Sequence, residues 1–160
     1  MKIRKARQSD VNAIYELTLD IATIEETLAE KNGVSIIKKR HTDFENRVKF
    51  TISQDIKEKD TLFLIAEHDG SVIACGKGSI ISDHGFVFNE FRYGNFMSLV
   101  VKREWRRKGV AKLLYRELEQ WFKENNCSLI SLEVFEENNA QEVYEKLGFS
   151  KLACKMVKRL

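Results

Sequence analysis

Residues 96–124 read FMSLVVKREWRRKGVAKLLYRELEQWFKE, and three physical patterns follow one another within them. The apolar run 96–101 suits a buried strand. Residues 102–108 then carry five positive charges and one negative. After Gly109, a helix is predicted from Val110, Leu113, Leu114, Leu118, Trp121 and Phe122, which recur at helical spacing and make one apolar stripe. A strand, a short basic loop with a glycine at its turn, and a helix with an unobstructed first turn together form an anion site. The first N–H groups of a helix have no intrahelical partner, and its dipole favours negative charge there. Gly109 and Ala111 are small enough to let an anion approach. This describes a site without yet describing a reaction.

Working outward, 160 residues predict a single domain, 1–160, with a sizeable core. No apolar run approaches the length of a bilayer span, and nothing near Met1 resembles a signal peptide. The expectation is therefore a cytoplasmic protein that does not engage a membrane. Cys75, Cys127 and Cys154 are far apart and read as free buried thiols in a reducing compartment. A formal charge of +3 is too small to imply nucleic acid by itself. His41, His68 and His84 lack ligand spacing, so no metal site is expected. The chain has no GK[ST] phosphate loop, which argues against a nucleotide triphosphatase. It also has no proline, so tight turns fall to Gly, Asn and Asp.

Along the chain, residues 2–6 predict a first strand anchored by Ile3. Ser9 or Asp10 can cap a helix running to about Asp20, with Val11, Ile14, Leu17 and Ile21 on its core side. Ile24, Leu28, Val34, Ile36 and Ile37 suggest a second helical piece broken near Asn32 and Gly33. Phe44, Val48, Ile52 and Ile56 recur at fourfold spacing and predict a helix over 43–57. The period then changes. Residues 61–68 (TLFLIAEH) read as a strand, Asp69 and Gly70 as a tight turn, and residues 71–82 as the partner strand. Gly76 and Gly78 weaken that partner unless a bulge or a close neighbour makes use of them. Residues 83–94 form an aromatic-bearing connection, part of which can extend the sheet. Residues 128–135 predict a further strand with Ile130, Leu132 and Val134 on one face and Ser131 and Glu133 on the other. Asn138 or Asn139 starts a short helix holding Ala140, Val143, Tyr144 and Leu147, which Gly148 ends. Residues 152–157 alternate weakly, as a last strand would. The expected class is α/β in the broad sense: a mixed, mostly antiparallel sheet with helices on both faces.

At this point the chain resembles the GCN5-related N-acetyltransferase family of acyl-CoA-dependent acyltransferases. Arg106-Arg107-Lys108-Gly109-Val110-Ala111, after Leu99-Val100-Val101, matches the family's pyrophosphate loop. Ala140 and Tyr144-Glu145-Lys146-Leu147-Gly148-Phe149 match its closing helix and strand entry. The resemblance implies that the backbone of Leu99, Val100 and Val101 pairs with the pantetheine arm of acetyl-CoA. It implies that Arg106, Arg107, Lys108, Gly109, Val110, Ala111 and Lys112 surround the pyrophosphate. It also implies that Tyr144 protonates the departing thiolate. The family's asparagine three positions before the Ala140 equivalent is replaced here by Glu137. Asn139 is the nearby residue assigned to cofactor binding, with Asn138 beside it.

Chemistry adds its own constraints. A tyrosine with an ordinary pKa near ~10 is protonated at neutral pH and can give a proton to a thiolate. An amine acceptor must lose a proton before it attacks, and Glu133 and Glu90 are the candidate bases. A water chain ending at backbone carbonyls could serve instead. Neither Cys127 nor Cys154 sits next to a histidine, and direct transfer within a ternary complex needs no protein nucleophile. The expected activity is transfer of acetyl from acetyl-CoA to the amine of a small molecule or peptide. Family members are often dimers, and no surface in the sequence specifies an interface. Two alternatives stay open: a non-catalytic acyl-CoA-binding or sensing module, and a small nucleic-acid-binding protein using the Arg103 to Lys108 run.

Overall fold

The computed structural model describes residues 1–83, 91–135, 138, 140–153, 156 and 157. The chain divides into two compact units, Met1–Ile21 with His41–Leu132, and Ala22–Arg40 with Glu133–Leu160.

The first unit is built on a sheet of five strands in sequence order: β1 (Lys2–Lys5), β2 (Thr61–His68), β3 (Ser71–Asp83), β4 (Phe91–Val101) and β5 (Ile130–Ser131). The first four run antiparallel and β5 joins β4 in parallel. At the β2–β3 hairpin, Asp69 and Gly70 both have positive φ (48° and 75°), as a two-residue turn matching the strand twist requires.

Alternation along β2 serves two layers. Phe63 and Ile65 point to one side, into a core with Ile14 and Leu17 of α1 (Val11–Lys31) and Ile52 of α2 (Phe44–Asp55). Leu62 and Leu64 point to the other side, beneath α3 (Val110–Glu124). There Val110, Leu114, Leu118 and Phe122 are buried at fourfold spacing. Helices thus cover both faces of the sheet, as the sequence predicts. Gly78 and Gly94 lie on adjacent strands under the Phe122 ring, and a Cβ on either would stand 2.5 Å from a ring carbon. This close neighbour accounts for glycine inside a strand.

Several boundaries differ from the sequence expectations. One helix, α1, runs without a break to Lys31, because nothing from Asp20 onward interrupts its donors; its end is at Asn32 and Gly33. β4 begins at Phe91 rather than Phe96, using the aromatic connection to lengthen its ladder with β3. β5 is only Ile130–Ser131, since its pairing with β4 stops at Asn95 and Ser131. On α3 Leu113 is 39% exposed, and Tyr115 takes its place in the core with its ring edge-on to Phe96. Residues 151–153, 156 and 157 form no strand, and Leu152 is 98% exposed, so a weak alternation among lysines is not enough. His84, Phe86, Phe88, Glu137 and Cys154 lie outside the described residues.

Asp10 anchors the entry to α1. Its carboxylate accepts the Arg7 N–H (2.7 Å) and two N–H groups of Arg4 (2.7 and 3.0 Å), while Arg4 also pairs with Glu67. The Arg4 bonds hold the Asp10 carboxyl below its ordinary value of 3.8. A folded pKa below the unfolded one stabilises the fold above the ordinary carboxylate range, and that stability is lost as pH falls through the folded value. Asp10→Asn is expected to cost about 2 kcal/mol in urea unfolding at pH 7, with the difference from native shrinking as pH falls below the ordinary carboxylate range.

The second unit holds the end of α1, a 3₁₀ turn at Ser35–Ile37 and α4 (Gln141–Lys146). Ion pairs Lys38–Glu25 (2.7 Å) and Arg40–Glu26 (2.8 Å) tie the 3₁₀ region to α1. Among the described residues, no helix is long and apolar enough to cross a membrane.

Candidate active site

In the first unit the predicted cofactor-binding residues from Leu99 to Lys112 run from one edge of the sheet, through a loop, to the start of α3. Lys102 donates its N–H to Ile73 of β3 (2.9 Å). Strand alternation then turns the backbone groups of Val101 and Leu99 the other way, to the edge that β5 shares only as far as Asn95. Met97 sets this phase. It is the extra residue where the register slips between Lys77–Ser98 and Gly78–Phe96; had it taken an ordinary place in the alternation, Leu99 and Val101 would face β3. Beyond Asn95 that edge has no strand partner among the described residues.

The loop after β4 is pinned by Arg106. Its Nε donates to the Val101 carbonyl (2.9 Å), and its NH2 pairs with Asp20 of α1 (3.0 Å). The guanidinium therefore braces the loop, while Arg107, Lys108 and Lys112 are exposed. Trp105 packs on His68 with ring centroids 4.7 Å apart, and Lys108 Nζ lies 4.9 Å above its indole. Arg107 and Gly109 both have positive φ, 60° and 80°. These two left-handed residues fold the chain back so that α3 starts abruptly. Gly109 caps it with no side chain, leaving the N–H groups of its first turn without a capping partner. Buried Val110 anchors that turn and Ala111 keeps it low.

In the second unit Tyr144 lies in the last turn of α4. Gly148 has φ +95°, which lets Phe149 N–H reach back to Tyr144 O and Gly148 N–H to Glu145 O (both 3.0 Å). The same closure sets the Tyr144 and Phe149 rings edge to face, 6.0 Å apart. Burial pushes the Tyr144 phenol above its ordinary pKa of 10, so it holds its proton throughout the neutral range. Glu133 is exposed in this unit. Asn138 Oδ1 accepts the Ala140 N–H (2.9 Å) ahead of α4. The other candidate base, Glu90, and the candidate ligand Asn139 lie outside the described residues.

Three features escape a reading of the sequence. Asp20, as the partner of Arg106, is 86 residues away and carries no local signal. The extra residue at Met97 depends on pairing that only the folded sheet reveals. A cavity of about 240 Å³ lies between α1, α2 and the sheet, beside Ser98. The α2 spacing that marks its wall was readable only as a core stripe. Elsewhere in the first unit, burial pushes the Cys75 thiol up to about 12, which makes it inert rather than nucleophilic. Among the described residues no cluster of His, Cys, Asp and Glu could hold a metal ion.

A family profile, the acetyltransferase (GNAT) family, matches residues 21–149, which span the open edge, the loop and Tyr144. The chain belongs to the acetyltransferase (GNAT) family. It is 37% identical over 62 residues to the uncharacterized N-acetyltransferase YobR of Bacillus subtilis (strain 168), a stretch covering 38% of this chain and 25% of that protein. The match thus spans about a quarter of the length of that curated relative. The fold is shared with a tetramutant of the BH1408 protein of Bacillus halodurans, at 18% identity and a TM-score of 0.83 over 100% of both chains. It is shared too with the aminoglycoside 6'-N-acetyltransferase AAC(6')-Ig of Acinetobacter haemolyticus, at 23% identity and a TM-score of 0.72 over 100% of this chain and 99% of that one. A third structure with this fold is aminoglycoside N-acetyltransferase AAC(6')-Iy in complex with CoA, at 19% identity and a TM-score of 0.69 over 99% and 98% of the two chains.

Proposed function

We propose that this protein transfers an acetyl group from acetyl-CoA to the amine of a small molecule or peptide, by direct attack within a ternary complex. One observation carries the reading: beyond Asn95 the edge at Leu99 and Val101 has no strand partner among the described residues, and it leads, through a loop that Arg106 braces at the Val101 carbonyl, straight to the uncapped start of α3. A pantetheine arm contains two amides and can pair with such an edge as an added strand. A diphosphate suits the free N–H groups of residues 107–112 and the surrounding basic charge.

Binding in that register puts the thioester beside the strand, where a backbone N–H of the edge can polarise its carbonyl. The amine nitrogen, once deprotonated, forms a bond to the carbonyl carbon, and charge developing on the carbonyl oxygen is met by that N–H. The carbon–sulfur bond then breaks. The departing thiolate takes the Tyr144 proton, and the proton lost by the amine passes to Glu133, to Glu90 or through water to solvent. The acceptor is assigned to the cavity beside Ser98 in the first unit.

The test is thiol release from acetyl-CoA across a panel of amines. Release that depends on the amine is the expected result. Tight acetyl-CoA binding with background release for every amine would make the protein a sensor, and failure to bind acetyl-CoA would overturn the reading of the loop. A second expectation concerns Gly109. A Cβ there meets nothing within 4 Å, so the cost comes from its φ of +80° and from crowding the diphosphate. Gly109→Val should raise the KM for acetyl-CoA about fivefold or more while leaving the KM for the acceptor within about twofold, as steady-state kinetics will show.

A further inference from the structure

The cavity beside Ser98 has an ordered distribution of charge. Arg47, Val48, Thr51, Ile52 and Asp55 form one stripe along α2 and make one wall. Phe63, Lys77 and Ser98 supply the sheet side. Asp55 and Lys77 are both mostly buried and neutralise each other across 2.7 Å. Lys77 stands directly across the β3–β4 ladder from Ser98, next to Leu99 on the open edge. The end of the cavity nearest that edge is therefore a closed, neutral ion pair.

At the other end the balance changes. Arg47 is eight residues before Asp55, about 12 Å along the helix axis. It is exposed and has no carboxylate partner among the described residues. Val48, Ile52 and Phe63 make the stretch between the two ends largely apolar. The cavity is thus an apolar trough with a neutral end toward the open edge and one uncompensated cation at its far end.

We propose that this trough selects an elongated acceptor: an amine at one end, an apolar body, and a carboxylate or similar anion at the other, the anion resting on Arg47. The amine is then delivered to the Ser98 end, where the thioester is expected. Polycationic acceptors are disfavoured, because their second charge falls against the guanidinium. This inference rests on the proposed acyl transfer and names its substrate class.

The test uses three amines of matched length: 6-aminohexanoate, hexylamine and 1,6-diaminohexane. The native protein should turn over 6-aminohexanoate with a kcat/KM about fivefold or more above that for 1,6-diaminohexane, with hexylamine between them. Arg47→Glu should reverse that order and leave the KM for acetyl-CoA unchanged, with an unaltered thermal midpoint confirming the fold. A native preference for the diamine, or an order that Arg47→Glu leaves intact, overturns the proposal while acyl transfer stands. If none of the three amines releases thiol although acetyl-CoA binds, the transfer reading fails for this class of amine. Calorimetric titration of 6-aminohexanoate and 1,6-diaminohexane into the CoA-bound protein then decides the trough's selectivity. Tighter binding of 6-aminohexanoate that Arg47→Glu abolishes sustains it, and indifference overturns it.

Discussion

Phe122→Ala should lower the unfolding free energy by about 3–5 kcal/mol, the largest single-residue loss of stability expected in this protein. Phe122 is 1% exposed, and its ring lies across β3 and β4, over Gly78 at one end and Gly94 at the other. Removing it leaves a hole that neither glycine can fill. The reverse change is also costly. A Cβ on Gly94 would stand 2.5, 2.6 and 2.8 Å from three ring carbons, and a ring locked under α3 has nowhere to go. Gly94→Ala should therefore cost about 1–3 kcal/mol. The two changes relieve each other, because the alanine methyl enters the space the ring vacates. A double-mutant cycle in urea should give a coupling of about 1–2 kcal/mol in the favourable sense. Additive losses would mean that the ring does not rest on Gly94.

Tyr144→Phe should reduce kcat for acceptor-dependent thiol release by about tenfold or more, with the KM for acetyl-CoA within about twofold of native. Burial raises the phenol's pKa and makes the protonated form the resident one. A thiolate leaving next to it gains a proton that water would supply more slowly. The helix C-terminus that carries Tyr144 is closed by two backbone bonds through Gly148 and Phe149, neither of which involves the hydroxyl. Phenylalanine should therefore preserve the local fold, and the thermal midpoint should change little. The pH profile supplies the sign. A group whose pKa is raised above 10 keeps its proton to higher pH, so no alkaline loss of kcat assignable to Tyr144 is expected below about pH 10. An unchanged kcat in the variant would remove Tyr144 from the chemistry and leave it a packing residue.

The sequence made the middle of the chain legible because each element there has a single strong signal. Asp69-Gly70 between two apolar runs specifies the hairpin, and Gly109 between a basic run and an amphipathic helix specifies the loop. Both took the left-handed conformations that those residues permit. The ends of elements were harder to read. Nothing near Asp20 says that α1 continues, since apolar residues on both sides of that point suit one helix or two. β5 has the alternation of a longer strand, yet its ladder holds only at Ile130 and Ser131. Alternation reports a face, not the presence of a neighbour.

For the site the division is similar. The loop residues 106–112 and Tyr144 are marked by local motifs, because each depends on its own turn or helix end. The open edge depends on Met97 shifting the register by one residue, which is a property of two strands together. Arg106 offered another lesson. Its place before Gly109 pointed to a residue that holds the loop as well as phosphate, and its two bonds, to Val101 and the distant Asp20, brace the loop. In the proposed diphosphate site, Arg107, Lys108 and Lys112 are exposed cations beside the uncapped start of α3.

The most direct test of the central claim is an amide-resolved NMR titration of the native protein with acetyl-CoA. The largest shifts are expected at the N–H groups of Leu99 and Val101, along the open edge, and at residues 107–112 around the start of α3. Shifts confined to other strands or to the far end of α3, with these amides unmoved, would contradict it.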